Sequence, residues 1–152
     1  MVWGMVFPNG HVTIKYMIGR QNSESYKNLL QNFAIPIILE NFEENYLFQQ
    51  DNCSIHVSKC MKKFFQEIDF KLLSWPSRSP DLNIMENVWK IISDIVYEGS
   101  QPENVSNLKD KITEAVSTIN KSKKETIVGL YNSFRHRLTD LLKNNGKLIT
   151  NL

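Results

Sequence analysis

No aspartate or glutamate occurs before Glu24 in this 152-residue chain. The first segments of the molecule therefore bring no carboxylate to any site. No run of about 18 apolar residues is present, so no stretch reads as a membrane-spanning helix. No signal-peptide pattern precedes the first predicted strand, which leads us to expect an intracellular, reducing compartment. Cysteine is scarce, with only Cys53 and Cys60. On a helix their Cα atoms would lie about 10 Å apart, beyond disulfide reach. With His56 they form a Cys-x2-His-x3-Cys string, but a structural zinc site wants four ligands and no fourth is evident. Neither an internal repeat nor a low-complexity tract is seen. The net charge of +2 is nearly balanced and neither demands nor excludes a nucleic-acid partner.

What is present fits one domain over 1–152, with 41% hydrophobic residues, enough for a core. Residues 2–7 read as a strand, Pro8-Asn9-Gly10 as a turn, and His11 to Ile18 as the antiparallel partner. Asn22 or Ser23 caps a helix carrying Tyr26, Leu29, Leu30, Phe33, Ile37 and Ile38 at helical spacing. Pro36 should kink or end it. Tyr46 to Gln50 reads as a third strand ending at Asp51. A helix over about 55–68 follows, with Val57, Cys60, Met61, Phe64 and Phe65 inward, then a short strand over 70–75. Prolines make 76–80 irregular.

Asn83 opens the next helix, whose apolar side is Ile84, Val88, Ile91, Ile92, Ile95 and Val96. A helix from about Ser106 carries Leu108, Ile112, Ala115, Val116 and Ile119. Ser122 to Glu125 reads as a capping box for a last helix. That helix has Ile127, Leu130, Tyr131, Phe134, Leu138, Leu141 and Leu142 inward and ends at Gly146. The order predicts an α/β fold with a mixed sheet and a helical C-terminal layer.

Two carboxylates stand out. Asp51 closes an apolar strand, where α/β sheets place their ligands; an Asx turn or helix cap explains it equally well. Glu86 sits at a helix start, where it can serve a metal or close a capping box onto Asn83. Two such groups can hold divalent cations for phosphodiester chemistry. His56 can contact a phosphate or steer a water, or simply pack. Arg78, in the proline-bounded loop, suits a phosphate contact or a plain surface role. Trp75 and Trp89 read as core anchors. Lys59, Lys62, Lys63, Lys121, Lys123, Lys124, Arg135 and Arg137 form local basic runs that fit solvated helix faces.

Gln49, Gln50, Asp51 and Asn52, followed by His56, form one block. Trp75, Pro76, Ser79, Pro80, Asp81, Leu82, Asn83, Glu86, Asn87 and Trp89 form another. Together they closely resemble the catalytic domain of Tc/mariner transposases. Val2-Trp3-Gly4 and the Asn22 to Tyr26 segment resemble that family's hairpin and first helix. Glutamate at 86 points to the Tc-one-like branch. Ser54 and Ile84 stand where the family commonly has proline.

The resemblance implies an RNase H-like mixed sheet flanked by helices. It implies a cut-and-paste DNA transposase using three acidic side chains and two Mg²⁺ (or Mn²⁺) ions. Asp51 matches the second acidic residue and Glu86 the third, both as metal ligands and catalytic groups. Asn52, His56 and Arg78 are candidates for an auxiliary role or DNA contact, Arg78 from its place in the loop rather than from the resemblance. Transposon-end and target DNA, a homodimer or a full-length transposase, and a nuclear setting are the partners and place implied.

The family's first catalytic Asp lies on a central strand upstream of Val2, and its helix-turn-helix DNA-reading region further upstream. We therefore expect a domain lacking that strand. Either residues 2–7 pair with 46–51 or the domain is loosened. Catalytic inactivity in isolation is expected, with a non-catalytic nucleic-acid-binding relic or domesticated fragment as the alternative.

Overall fold

In the computed structural model, residues 1–42, 46–76 and 79–143 are described. They divide into two compact units. One holds Met1 and Met17–Arg78; the other holds Val2–Tyr16 and everything from Ser79 onward.

The second unit is built on the predicted hairpin. β1 (Val2–Val6) pairs antiparallel with β2 (Val12–Tyr16), from Val2 opposite Tyr16 to Val6 opposite Val12. Gly10 closes the turn at φ +80°, a left-handed conformation that disfavours a Cβ, and a Cβ there would also strike the Lys124 carbonyl oxygen. Gly10 N–H donates to the Phe7 carbonyl at 2.9 Å, and Asn9 Oδ1 accepts from His11 N–H at 3.0 Å.

Among the described residues three α-helices complete this unit: α4 (Ile84–Tyr97), α5 (Val105–Ser122) and α6 (Lys124–Lys143). The predicted apolar stripe of α4 does what its spacing demands. Ile84, Val88, Ile92 and Val96 are buried, and they pack with Val12, Ala115, Val116, Ile119 and Ile127 into one core. Trp89 and Met85 lie against Gly4, where a Cβ would stand 2.8 Å from Trp89 Cζ2. Trp89 is thus a packing anchor. A side chain also closes the hairpin's outer edge. Asn120 Oδ1 accepts from Val12 N–H, and Asn120 Nδ2 donates to the Val12 carbonyl, both at 2.8 Å. Tyr131 Oη donates to the Val6 carbonyl at 2.9 Å.

The first unit begins with α1 (Ser23–Leu29), capped reciprocally by Asn22 and Ser25. A π-helical turn over Leu30–Ala34 follows, then α2 (Ile35–Phe42). Pro36 does not end the helix. Ile35 N–H donates to the Leu30 carbonyl, five residues back, and this widened turn admits the proline ring that a regular turn would exclude. Tyr26, Leu29, Leu30, Ala34 and Ile38 are buried. α3 (Lys59–Glu67) buries Met61, Phe64 and Phe65. Phe70 lies beside Phe65, Phe48 and Tyr46, with ring centroids 5.2–5.5 Å apart.

Several expectations need correction. The strands over 46–50 and 70–75 reduce to one parallel bridge, Phe48 with Leu72, formed by Phe48 N–H to Lys71 O and Leu73 N–H to Phe48 O. Phe70 turns instead into an aromatic cluster with Phe65, Phe48 and Tyr46. Among the described residues the only sheet is β1 with β2, so residues 2–7 do not pair with 46–51.

α3 starts at Lys59, not Ile55, because Ser58 Oγ accepts from Met61 N–H and caps it. Cys60 then faces outward. Ser122 is not a cap but the last residue of α5, its hydroxyl donating to the Thr118 carbonyl at 2.9 Å. Leu138 is 37% exposed rather than inward. The side chains of Leu141 and Leu142, the whole of Gly146, and Arg78 lie outside the described residues. Among the described residues no helix is long and apolar enough to cross a membrane.

Candidate functional site

Residues 50–57 form a tight turn between the Phe48 bridge and α3. Asp51 Oδ1 accepts from Cys53 N–H at 3.0 Å, an Asx turn. The Cys53 carbonyl accepts from His56 N–H (2.8 Å) and Val57 N–H (3.2 Å), which folds the chain back on itself. His56 Nδ1 consequently lies 2.6 Å from Asp51 Oδ1. The Asp51 side chain is 56% exposed and that of His56 17%. Asp51 Oδ2 makes no hydrogen bond among the described residues. The Asx turn and a ligand role, posed as alternatives from sequence, are thus compatible: one oxygen holds the turn and the other has no hydrogen bond among the described residues. Asn52 donates from Nδ2 to the Trp75 carbonyl at 2.9 Å.

Beneath this turn are two residues whose positioning role sequence reasoning missed. Tyr26 Oη donates to Gln50 Oε1 at 2.8 Å, and the Tyr26 ring lies 4.1 Å from the His56 ring, centroid to centroid. Gln50 Nε2 reaches the His56 carbonyl at 3.4 Å. Burial, with the negative Asp51 nearby, pushes the Tyr26 phenol well above its ordinary pKa, so it remains a donor. The signal in the sequence was their membership of the motif segments, Gln50 beside Asp51 and Tyr26 in the Asn22 to Tyr26 segment.

Glu86 stands in the first turn of α4, in the other unit, and is exposed. It closes no capping box: Asn83 Oδ1 accepts from Met85 N–H, and Asn83 N–H donates to the Pro80 carbonyl at 2.9 Å. Among the described residues the Glu86 carboxylate has no partner. The helix N-terminus favours its negative charge. Cys60 does not join Cys53 and His56; its Sγ lies 3.6 Å from Glu24 Oε2. The Cys-x2-His-x3-Cys string is therefore not a site, because the capped start of α3 turns Cys60 away.

Comparison with known proteins identifies the family and the fold. Residues 1–109 match the family model described as DDE superfamily endonuclease. The Transposable element Tc3 transposase of Caenorhabditis elegans is 33% identical over 150 residues, covering 98% of this chain and 45% of that protein. The chain thus spans less than half the length of that curated relative. The crystal structure of the catalytic domain of Mos1 mariner transposase superposes with a TM-score of 0.74 at 13% identity, covering 91% of this chain and 69% of the other. The crystal structure of the Mos1 strand transfer complex gives 0.72 at 14% identity, covering 91% and 40%.

The fold is accordingly RNase H-like α/β, with a two-stranded sheet and a majority of helix among the described residues. The chain belongs to the DDE superfamily endonucleases and is a Tc/mariner-type transposase domain.

Proposed function

We propose that this domain serves cut-and-paste DNA transposition, with Asp51 and Glu86 each a ligand for hard divalent cations, Mg²⁺ or Mn²⁺. The observation that carries the reading is the state of the two carboxylates. Both are exposed, Asp51 Oδ2 and the Glu86 carboxylate have no partner among the described residues, and oxygen donors of this kind suit hard cations. When bound, such cations activate the attacking oxygen and stabilise the leaving oxygen of a phosphodiester. His56 and the Asx turn hold Asp51 in one orientation. α4 presents Glu86 on a rigid element anchored by Ile84 and Val88. Asn52, His56 and Arg78 are assigned to DNA contact or support. The partners are transposon-end and target DNA and a second transposase copy, in the nucleus.

Mn²⁺ binding, followed by electron paramagnetic resonance, tests the ligand assignment. Asp51→Asn and Glu86→Gln should each weaken it about tenfold or more. Undiminished binding in both variants would overturn the assignment. No Asp or Glu before Glu24 supplies a third carboxylate, so we expect no nicking of transposon-end DNA by this chain alone, even with Mn²⁺. Robust nicking that Glu86→Ala abolishes would refute that expectation.

A second reading, a non-catalytic nucleic-acid-binding fragment, is favoured by the exposed lysines Lys59, Lys62 and Lys63 on α3. Salt-dependent DNA binding that survives loss of both Asp51 and Glu86 would favour it.

A further inference from the structure

One donor in the Asp51 turn is not used by the reading above. Cys53 is exposed and free, and its sulfur lies within 4.8 Å of a carboxylate oxygen of Asp51 and a ring nitrogen of His56, the three donors being mutually within that distance. We propose that Asp51, Cys53 and His56 form a binding site for a soft or borderline divalent cation of the Zn²⁺ type.

The chemistry of the donors carries this assignment. One thiolate, one imidazole and one carboxylate are a set that borderline metals prefer and that Mg²⁺ does not. Around a tetrahedral Zn²⁺ such donors stand roughly 3.2–3.8 Å apart. The turn already brings them nearly there, so small side-chain rotations suffice. The main adjustment is that His56 Nδ1 and Asp51 Oδ1, 2.6 Å apart, must separate slightly to admit the ion.

The arrangement is supported from beneath. The buried Tyr26 ring backs the imidazole, and Gln50 ties Tyr26 to the His56 backbone. Supporting contacts of this kind orient metal ligands and raise affinity. The Asx turn, made by Asp51 itself, fixes the Cys53 backbone on the same side.

Three protein ligands leave the fourth position open to water, which suits a labile ion rather than a structural one. On binding, the Cys53 thiol proton leaves to solvent and the thiolate coordinates. Asp51 is common to this set and to the proposed hard-cation ligands, so an ion held with Cys53 and His56 withdraws Asp51 from that role. The soft site stands on its three donors and does not depend on the DNA chemistry proposed above.

Cobalt substitution of the full chain, kept reduced with a phosphine, provides the test. Thiolate-to-Co²⁺ charge-transfer absorption should appear at stoichiometric Co²⁺ in the wild type and in Cys60→Ser, and Zn²⁺ should displace it. Cys53→Ser should lose the band, and its Zn²⁺ affinity, measured by chelator competition, should fall about tenfold or more. His56→Ala should weaken Zn²⁺ similarly. Both residues lie in a surface turn, and circular dichroism checks that the variants stay folded. A wild type without the band, a band that persists in Cys53→Ser or vanishes in Cys60→Ser, or unchanged Zn²⁺ affinity in Cys53→Ser would each overturn the proposal.

Discussion

His56 Nδ1 sits 2.6 Å from Asp51 Oδ1, while Cys53 N–H donates to that same oxygen. Asp51 is therefore held in a single orientation by two groups from its own turn. Removing the imidazole frees the carboxylate to rotate. His56→Ala should lower Mn²⁺ affinity about tenfold, and His56→Gln, which retains a side-chain donor, should recover part of it. Equal Mn²⁺ affinity in wild type and His56→Ala, by paramagnetic resonance titration, would show that the contact positions nothing.

Gly4 is needed for space rather than for backbone freedom. A Cβ there meets Trp89 Cζ2 at 2.8 Å and Met85 Cε at 2.9 Å. Gly4→Ala should destabilise the chain by about 1–3 kcal/mol through overpacking. Met85 can swing aside, whereas the indole cannot, so Trp89→Phe in the Gly4→Ala background should restore part of the loss. Chemical denaturation of both single variants and the double variant reads the coupling.

Asn120 closes the edge of β2 with two hydrogen bonds to Val12, one given and one accepted. Asn120→Ala leaves the N–H and carbonyl of a residue that is 1% exposed without these partners. A loss of about 1–3 kcal/mol follows. Asn120→Asp should recover little, because a carboxylate accepts from Val12 N–H but repels the Val12 carbonyl. Melting temperatures of the two variants decide this.

Tyr131 gives the molecule a sensitivity to alkali. Burial pushes its phenol from 10.0 up to about 12, while it donates to the Val6 carbonyl. Between these values the unfolded chain releases the proton and the folded one retains it. The unfolded state then binds fewer protons, so stability falls as pH rises from about 10 towards 12. Tyr131→Phe should be less stable at neutral pH, for want of the hydrogen bond, yet lose less on going to pH 11. A denaturation midpoint that falls equally in both proteins would contradict this. Tyr26, raised for the same reason of burial, adds to the wild-type slope in both.

Much of the fold was legible because it is local. The hairpin follows from Pro8-Asn9-Gly10 between alternating strands. The buried face of α4 follows from the spacing of Ile84, Val88, Ile92 and Val96, and that of α3 from Met61, Phe64 and Phe65. The motif blocks around Asp51 and Glu86 were also enough to identify the family.

By itself, then, the order of residues determined which segments turn, which coil and which side of each helix avoids water, since these depend on neighbours within a few positions. Tertiary structure alone decided the rest. It let Pro36 stay inside a helix by widening the preceding turn, and it gave the edge of β2 to Asn120, more than a hundred residues away in sequence. It also set the Tyr26 ring against His56 and its hydroxyl on Gln50, 24 residues away in sequence. The physical reason is common to all three. Polar groups take whichever partner comes within about 3 Å in the folded chain, and no sequence period encodes that distance.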